Sequence, residues 1–186
     1  MVTESSEKQV ADDQSPIGAA PGAAAVGDAD IEHALEAASA VLDPEIPVLT
    51  IADLGLLRGA ERRDGRIVVR ITPTYTGCPA TLAIRLAVET ALLDAGLGQA
   101  RVEMVLTPPW STDDITSEGR QKLLDYGIAP PARRAGFGGL FGTETVACPR
   151  CRSTHTSRIS EFGSTACKAL WRCETCREPF EYFKCL

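Results

Sequence analysis

Two cysteine pairs near the C-terminus, Cys148-Pro149-Arg150-Cys151 and Cys173-Glu174-Thr175-Cys176, are separated by 21 residues. Knuckles of this kind can bring four thiolates around one metal ion, and coordination then supplies the stability that so short a segment lacks as hydrophobic core. The gap is one residue longer than the usual zinc-ribbon range. The pattern speaks for a metal site, with structural zinc as the expected occupant. It does not speak for one activity, because ribbons serve DNA binding, RNA binding, protein docking and plain structure alike. His155 follows the first knuckle, but four cysteines already complete a shell. Cys167 lies six residues before the second knuckle and Cys185 is the penultimate residue. Both could be inert, exchange as a redox pair, or hold a second metal or cluster, and Lys168 and Lys184 beside them favour thiolates.

Cys78 stands apart from the other six cysteines, in Thr76-Gly77-Cys78-Pro79 directly before an expected helix. The positive end of a helix dipole stabilises a thiolate and raises its reactivity and metal affinity. The same position also suits a small buried apolar side chain. Asp43, Glu45 and Asp53 place three carboxylates in a short span braced by Pro44 and Pro47. Such a group could bind a hard cation, orient Cys78, or cap and solvate the loop. His33, flanked by Glu32 and Glu36, belongs to an exposed helix face.

The elements that must hold these residues follow from periodicity. Ile31, Leu35, Ala38 and Leu42 recur at helical spacing from about Asp30, and Asp28 or Asp30 can cap the first turn. Leu54–Ala60 and Arg66–Ile71 are strand-like around Asp64-Gly65, a hairpin signal. Pro79 can open a helix that runs to about Asp94; its sequence is apolar nearly all round and predicts deep packing. Arg101–Thr107 alternates, with Val102, Met104 and Leu106 on one face of a third strand. A short helix from about Ser117 to Tyr126 ends at Gly127. The order helix, hairpin, helix, strand, helix predicts an α+β domain over residues 29–129. Residues 1–28 read as a disordered tail and 130–145 as a Gly/Pro linker. The ribbon occupies 146–186, with short strands around Thr156–Glu161, Ala169–Arg172 and Phe180–Lys184. Trp171, Phe180, Tyr182 and Phe183 would form its small core.

The chain has 186 residues, 44% of them hydrophobic, and a formal net charge of −6. Residues 29–129 carry −6 and residues 146–186 carry +3. An acidic main domain argues against a broad nucleic-acid-binding face. No stretch approaches the roughly 20 apolar residues that span a bilayer. The acidic N-terminus does not read as a signal peptide, and cysteine-rich metal chemistry points to a reducing, cytoplasmic setting.

The run Leu42-Asp43-Pro44-Glu45-Ile46-Pro47, then Asp53-Leu54-Gly55, then Thr72-Pro73-Thr74-Tyr75-Thr76-Gly77-Cys78-Pro79 resembles the small domain of Fe–S cluster targeting and carrier-accessory proteins of the SufT type. The tail resembles the D subunits of phenylacetyl-CoA epoxidase systems. It does so through its two knuckles, Phe162-Gly163-Ser164-Thr165, Cys167-Lys168-Ala169-Leu170 and Phe180 to Cys185, and Pro108-Pro109-Trp110-Ser111-Thr112-Asp113 matches as well. The likeness spans about residues 30–186. It implies a non-catalytic accessory subunit in aerobic phenylacetate catabolism that assists Fe or Fe–S centre assembly or repair. Its implied partners are the oxygenase and reductase subunits of that system. Carried onto this chain, Cys78, Asp43 and Glu45 match the accessory domain's cysteine and acidic loop, with Fe or an Fe–S cluster as transient cargo. Cys148, Cys151, Cys173 and Cys176 match the ribbon's metal ligands. Two other functions stay open: a structural or electron-transfer component with its own cluster on the tail cysteines, and a zinc-ribbon nucleic-acid binder.

Overall fold

The computed structural model describes residues 27–131 and 145–184. Residues 1–26 of the tail expected over 1–28, almost all of the 130–145 linker, and Cys185 therefore lie outside the described residues, and Asp28 belongs to the first helix instead of the tail.

The first helix, α1 (Asp28–Ser39), starts where Asp30 turns back to accept the Gly27 N–H at 2.6 Å. Acidic groups in a first turn also complement the helix dipole. Its buried positions are Ala34 and Ala38, small enough for close approach to the sheet. Leu42, expected on that face, lies beyond the helix end and is 52% exposed. The chain has by then turned into the proline-braced loop, and Val41 faces the core instead.

Strands β1 (Leu57–Arg63) and β2 (Arg66–Ile71) form the expected hairpin around Asp64-Gly65, both residues with positive φ (51° and 73°). That pairing matches a tight hairpin turn whose twist suits the strands. β1 begins three residues later than the sequence pattern suggests. Leu54 and Leu56 are buried from a turn that closes against the rest of the core, not from a strand. Strand β3 (Arg101–Met104) lies parallel to β2, giving the order β1-β2-β3. It stops short of Leu106, which is 60% exposed.

Helix α2 (Ala80–Asp94) connects β2 to β3 and buries Ala80, Ile84, Val88 and Leu92 at four-residue intervals. Deep packing on all sides is not what the fold delivers: Leu82, Leu86 and Leu93 are 52–65% exposed. A helix lying on one narrow sheet, beside α1, has partners for one stripe only.

A short 3-10 turn (Thr112–Asp114) leads to α3 (Ser117–Tyr126), capped by the Thr116 hydroxyl on the Gly119 N–H and ended by left-handed Gly127 at φ 89°. Two further residues, β4 (Ile128–Ala129), then pair in parallel with the last strand of the C-terminal sheet. That sheet comprises β5 (Thr156–Ser160), β6 (Lys168–Cys173) and β7 (Pro179–Phe183), in the order β4-β7-β6-β5. The sequence carried no signal for β4, because two residues are too short for any period.

The ribbon therefore shares a sheet with the chain that follows α3. It also shares a core with the first sheet, since Cys167 and Phe183 belong to the larger hydrophobic cluster. Phe183, expected among the ribbon's own aromatics, meets Trp110 edge-on at 6.2 Å between ring centroids. Trp171, Phe180 and Tyr182 do form the smaller cluster around Cys148 and Cys173.

Candidate functional site

The two knuckles are matching turns. Arg152 and Arg177, each the residue after a knuckle's second cysteine, adopt left-handed φ values of 64° and 66°. Their N–H groups bond back to the Cys148 and Cys173 carbonyls, both at 2.9 Å. The four sulfurs of Cys148, Cys151, Cys173 and Cys176 all lie within 4.8 Å of one another. Cys148 and Cys176 are 3.8 Å apart at sulfur, and Cys151 and Cys173 3.5 Å. A tetrahedral ion with metal–sulfur bonds of about 2.3 Å has ligand edges of about 3.8 Å, so the donor set fits a single ion. The Cys176 N–H aimed at the Cys173 sulfur holds that thiol below the ordinary cysteine range, while burial and the neighbouring sulfurs push the Cys176 thiol up. His155 is exposed and outside this set.

A second group of reactive side chains meets where the ribbon touches the first sheet. Asp43 is buried, and its Oδ1 accepts the N–H groups of Glu45 and Ile46, both at 2.8 Å. Burial raises the Asp43 carboxyl above the ordinary aspartate range, and the two N–H bonds oppose that only in part. Its role is to fold the Pro44–Pro47 loop so that Ile46 anchors in the core and Glu45 projects. Cys78 sits two residues before α2 and is half-buried, with its N–H on the Tyr75 carbonyl at 3.2 Å. The Tyr75 hydroxyl is raised by burial and by the neighbouring Cys78.

Facing them, from the residue before β6, is Cys167. Its thiol donates to Glu45 Oε2 at 3.4 Å and lies 3.1 Å from the Thr165 hydroxyl. Asp43, Glu45, Cys78, Cys167 and Phe183 line one cavity of about 20 Å3. Sequence reasoning placed Cys167 in the ribbon with Cys185 and did not bring it to Cys78. The contact depends on how the two sheets dock, which no local pattern encodes.

Two expectations need correction. Lys168 does not make Cys167 a thiolate: burial pushes the Cys167 thiol up to about 11. Neighbours along an extended chain point to opposite faces, and Lys168 is buried against Glu181 at 3.1 Å. Asp53 does not join Asp43 and Glu45. Burial pushes its carboxyl up, but the Thr50 N–H and the Lys122 ammonium, each 2.9 Å away, outweigh that and hold it below the ordinary range. With its carbonyl accepting the Thr116 N–H, Asp53 ties α3 to the first sheet. His33 is exposed on α1, its ring Nε2 3.2 Å from the Ala95 carbonyl.

An α+β layer with a thiol and carboxylates in one pocket, joined to a ribbon whose four cysteines can hold a metal ion, defines a two-part metal-binding protein. Comparison with known proteins agrees. The model for an iron-sulfur cluster assembly protein matches residues 28–108, and that for the PaaD zinc beta ribbon domain matches residues 133–184. The chain is 50% identical over 148 residues to the D subunit of a "Putative 1,2-phenylacetyl-CoA epoxidase" of Escherichia coli (strain K12), covering 80% of this chain and 88% of that one. It therefore belongs to the family of phenylacetyl-CoA epoxidase D subunits. An Fe-S protein maturation auxiliary factor of Porphyromonas gingivalis is 33% identical over 88 residues, 45% of this chain and 80% of the relative. Among solved structures, a domain of unknown function from Bacillus anthracis is 26% identical with a TM-score of 0.47, covering 52% of this chain and 92% of that one. A Mycobacterium tuberculosis protein described as associated with [Fe-S] complex assembly and repair is 35% identical with a TM-score of 0.30, covering 53% and 84%. Among the described residues no helix is long and apolar enough to cross a membrane.

Proposed function

We propose that this protein is a cytoplasmic accessory subunit of a multicomponent phenylacetyl-CoA epoxidase, and that it helps load or repair an Fe or Fe–S centre in the oxygenase or reductase subunits. The observation that carries this reading is the convergence of Cys78, Glu45 and Cys167 on one small cavity beside a buried Asp43. Thiol and carboxylate donors held at a half-buried position can accept iron and release it again, whereas a fully enclosed cage would retain it. Asp43 acts here as the brace of the loop, and Glu45 and Cys78 as the groups that meet the cargo.

In this reading the ribbon holds zinc on Cys148, Cys151, Cys173 and Cys176, and the metal's part is structural. The close sulfur spacing supports one ion over a cluster, whose irons would spread the ligands further apart. That weighs against the ribbon as the seat of a permanent multi-iron cluster. Zinc supplies fold stability and lets the ribbon present Cys167 to the cavity.

The test is a Cys78→Ser strain. Phenylacetate-dependent growth should fall at least tenfold in rate, with the reductase purified from those cells under-loaded in iron and acid-labile sulfide. Full growth with a fully loaded reductase would refute the proposal.

A further inference from the structure

Glu45, Cys78 and Cys167 line one pocket together. Two of the donors already stand as ligands of one ion would. A thiolate at about 2.3 Å and a carboxylate oxygen at about 2.1 Å from a tetrahedral centre lie about 3.6 Å apart, and Cys167 Sγ is 3.4 Å from Glu45 Oε2. They approach from opposite sides, one from the ribbon and one from the proline-braced loop.

Cys78 lines the same cavity from the start of α2. Among the described residues only the ribbon cysteines have all their ligand atoms within 4.8 Å of one another. Ligation by Cys78 as well requires its side chain to turn toward Cys167 and Glu45.

We propose that Cys78, Cys167 and Glu45 form a single-ion site at the seam between the α+β layer and the ribbon, which takes one thiophilic divalent ion of the iron class. This deepens the reading of the Cys78 pocket given above and rests on it. Each of the two thiols gives its proton to solvent as its sulfur binds, and the carboxylate gives none. The charge brought by a divalent ion is matched by the two protons lost, and no oxidation state changes. Two soft donors and one oxygen select against magnesium and calcium. The site is incomplete without the ribbon, because one of its sulfurs belongs there.

The experiment is an anaerobic titration of the full chain, its ribbon filled with zinc, using Co2+ as the probe for a divalent thiophilic ion. Zinc holds the cysteine cage against cobalt, so cobalt reports on the seam. The wild type should bind one Co2+ per chain with a sulfur-to-cobalt charge-transfer band. Cys78→Ser and Cys167→Ser should each halve that band and weaken binding at least tenfold. Glu45→Gln should weaken binding and leave the band. Retained zinc in every variant shows that the fold is intact, and Cys167→Ala serves where the serine variant does not fold. Absence of cobalt uptake in the wild type, or wild-type binding by Cys167→Ser, would overturn the site. Cobalt uptake that is lost in the variants, together with normal growth of the Cys78→Ser strain, would uphold the site and remove the accessory role. No uptake with defective growth would do the reverse.

Discussion

At the residue scale, carboxylates close together in sequence have been given different tasks by their surroundings. Asp43 folds a loop, Glu45 reaches a thiol and Asp53 fastens a helix. The Asp53–Lys122 pair has a pH signature that follows from its sign. Its carboxyl is held below the ordinary range, so the pair adds stability above the unfolded aspartate value of about 3.9 and loses it as pH falls through the lower folded value. Lys122 is partly exposed, so Lys122→Met should lower the urea midpoint at pH 7 only modestly. That difference should shrink as pH falls through the lowered folded value of Asp53, because protonation removes the charge that Lys122 pairs with. Urea midpoints from pH 7 to 2.5 measure it, and curves that stay parallel down to the acid end would contradict the assignment. The motif Asp53-Leu54-Gly55 was visible in the sequence, but the reason for its glycine was not. Gly55 has φ +69°, and a Cβ there would lie 2.3 Å from the Asp114 carbonyl oxygen. Only the docked 3-10 turn reveals that constraint.

At the element scale, strong local signals survived and weak ones did not. The Asp64-Gly65 turn, the Gly127 stop and the two knuckles each rest on chemistry within a few residues, and each stands where the pattern put it. The start of β1, the end of β3 and the burial of α2 depend on what lies across the core. An apolar sequence says that a helix can be buried, not how many partners the fold provides. The two faces of α2 should therefore respond differently to truncation. Leu92→Ala should cost about 2–5 kcal/mol, because Leu92 is 1% exposed. Leu86→Ala, at 52% exposure, should stay within about 0.5 kcal/mol. Equal losses in chemical denaturation would mean that the outer face is covered.

At the scale of the whole molecule, the ribbon is not a separate bead on a string. β4 continues its sheet, Phe183 packs on Trp110, and Cys167 bonds to Glu45. The Trp110 indole in turn donates to the Leu54 carbonyl at 2.7 Å, so a path of direct contacts runs from the ribbon's last strand to the turn ahead of β1. Removing the ribbon's ion with a chelator under reducing conditions should unfold the ribbon and loosen the pocket wall with it. Hydrogen exchange should rise across 145–184 and also at Leu54, Ile71 and Thr72, and Cys78 should alkylate faster. Exchange confined to the ribbon would show the two parts to be independent. None of this coupling was legible beforehand, because it is made by isolated residues, Trp110, Cys167 and Phe183, whose neighbours in space are remote in sequence.

The two-residue strand β4 has one more consequence. Cutting this chain ahead of the ribbon would strip a neighbour from each piece: the front fragment would carry a dangling strand, and the back fragment would expose the free rim of β7. Unsatisfied rims of that kind recruit foreign strands. Separately expressed halves should thus be sticky and poorly behaved, and the intact polypeptide is the proper unit for any study of its metal chemistry.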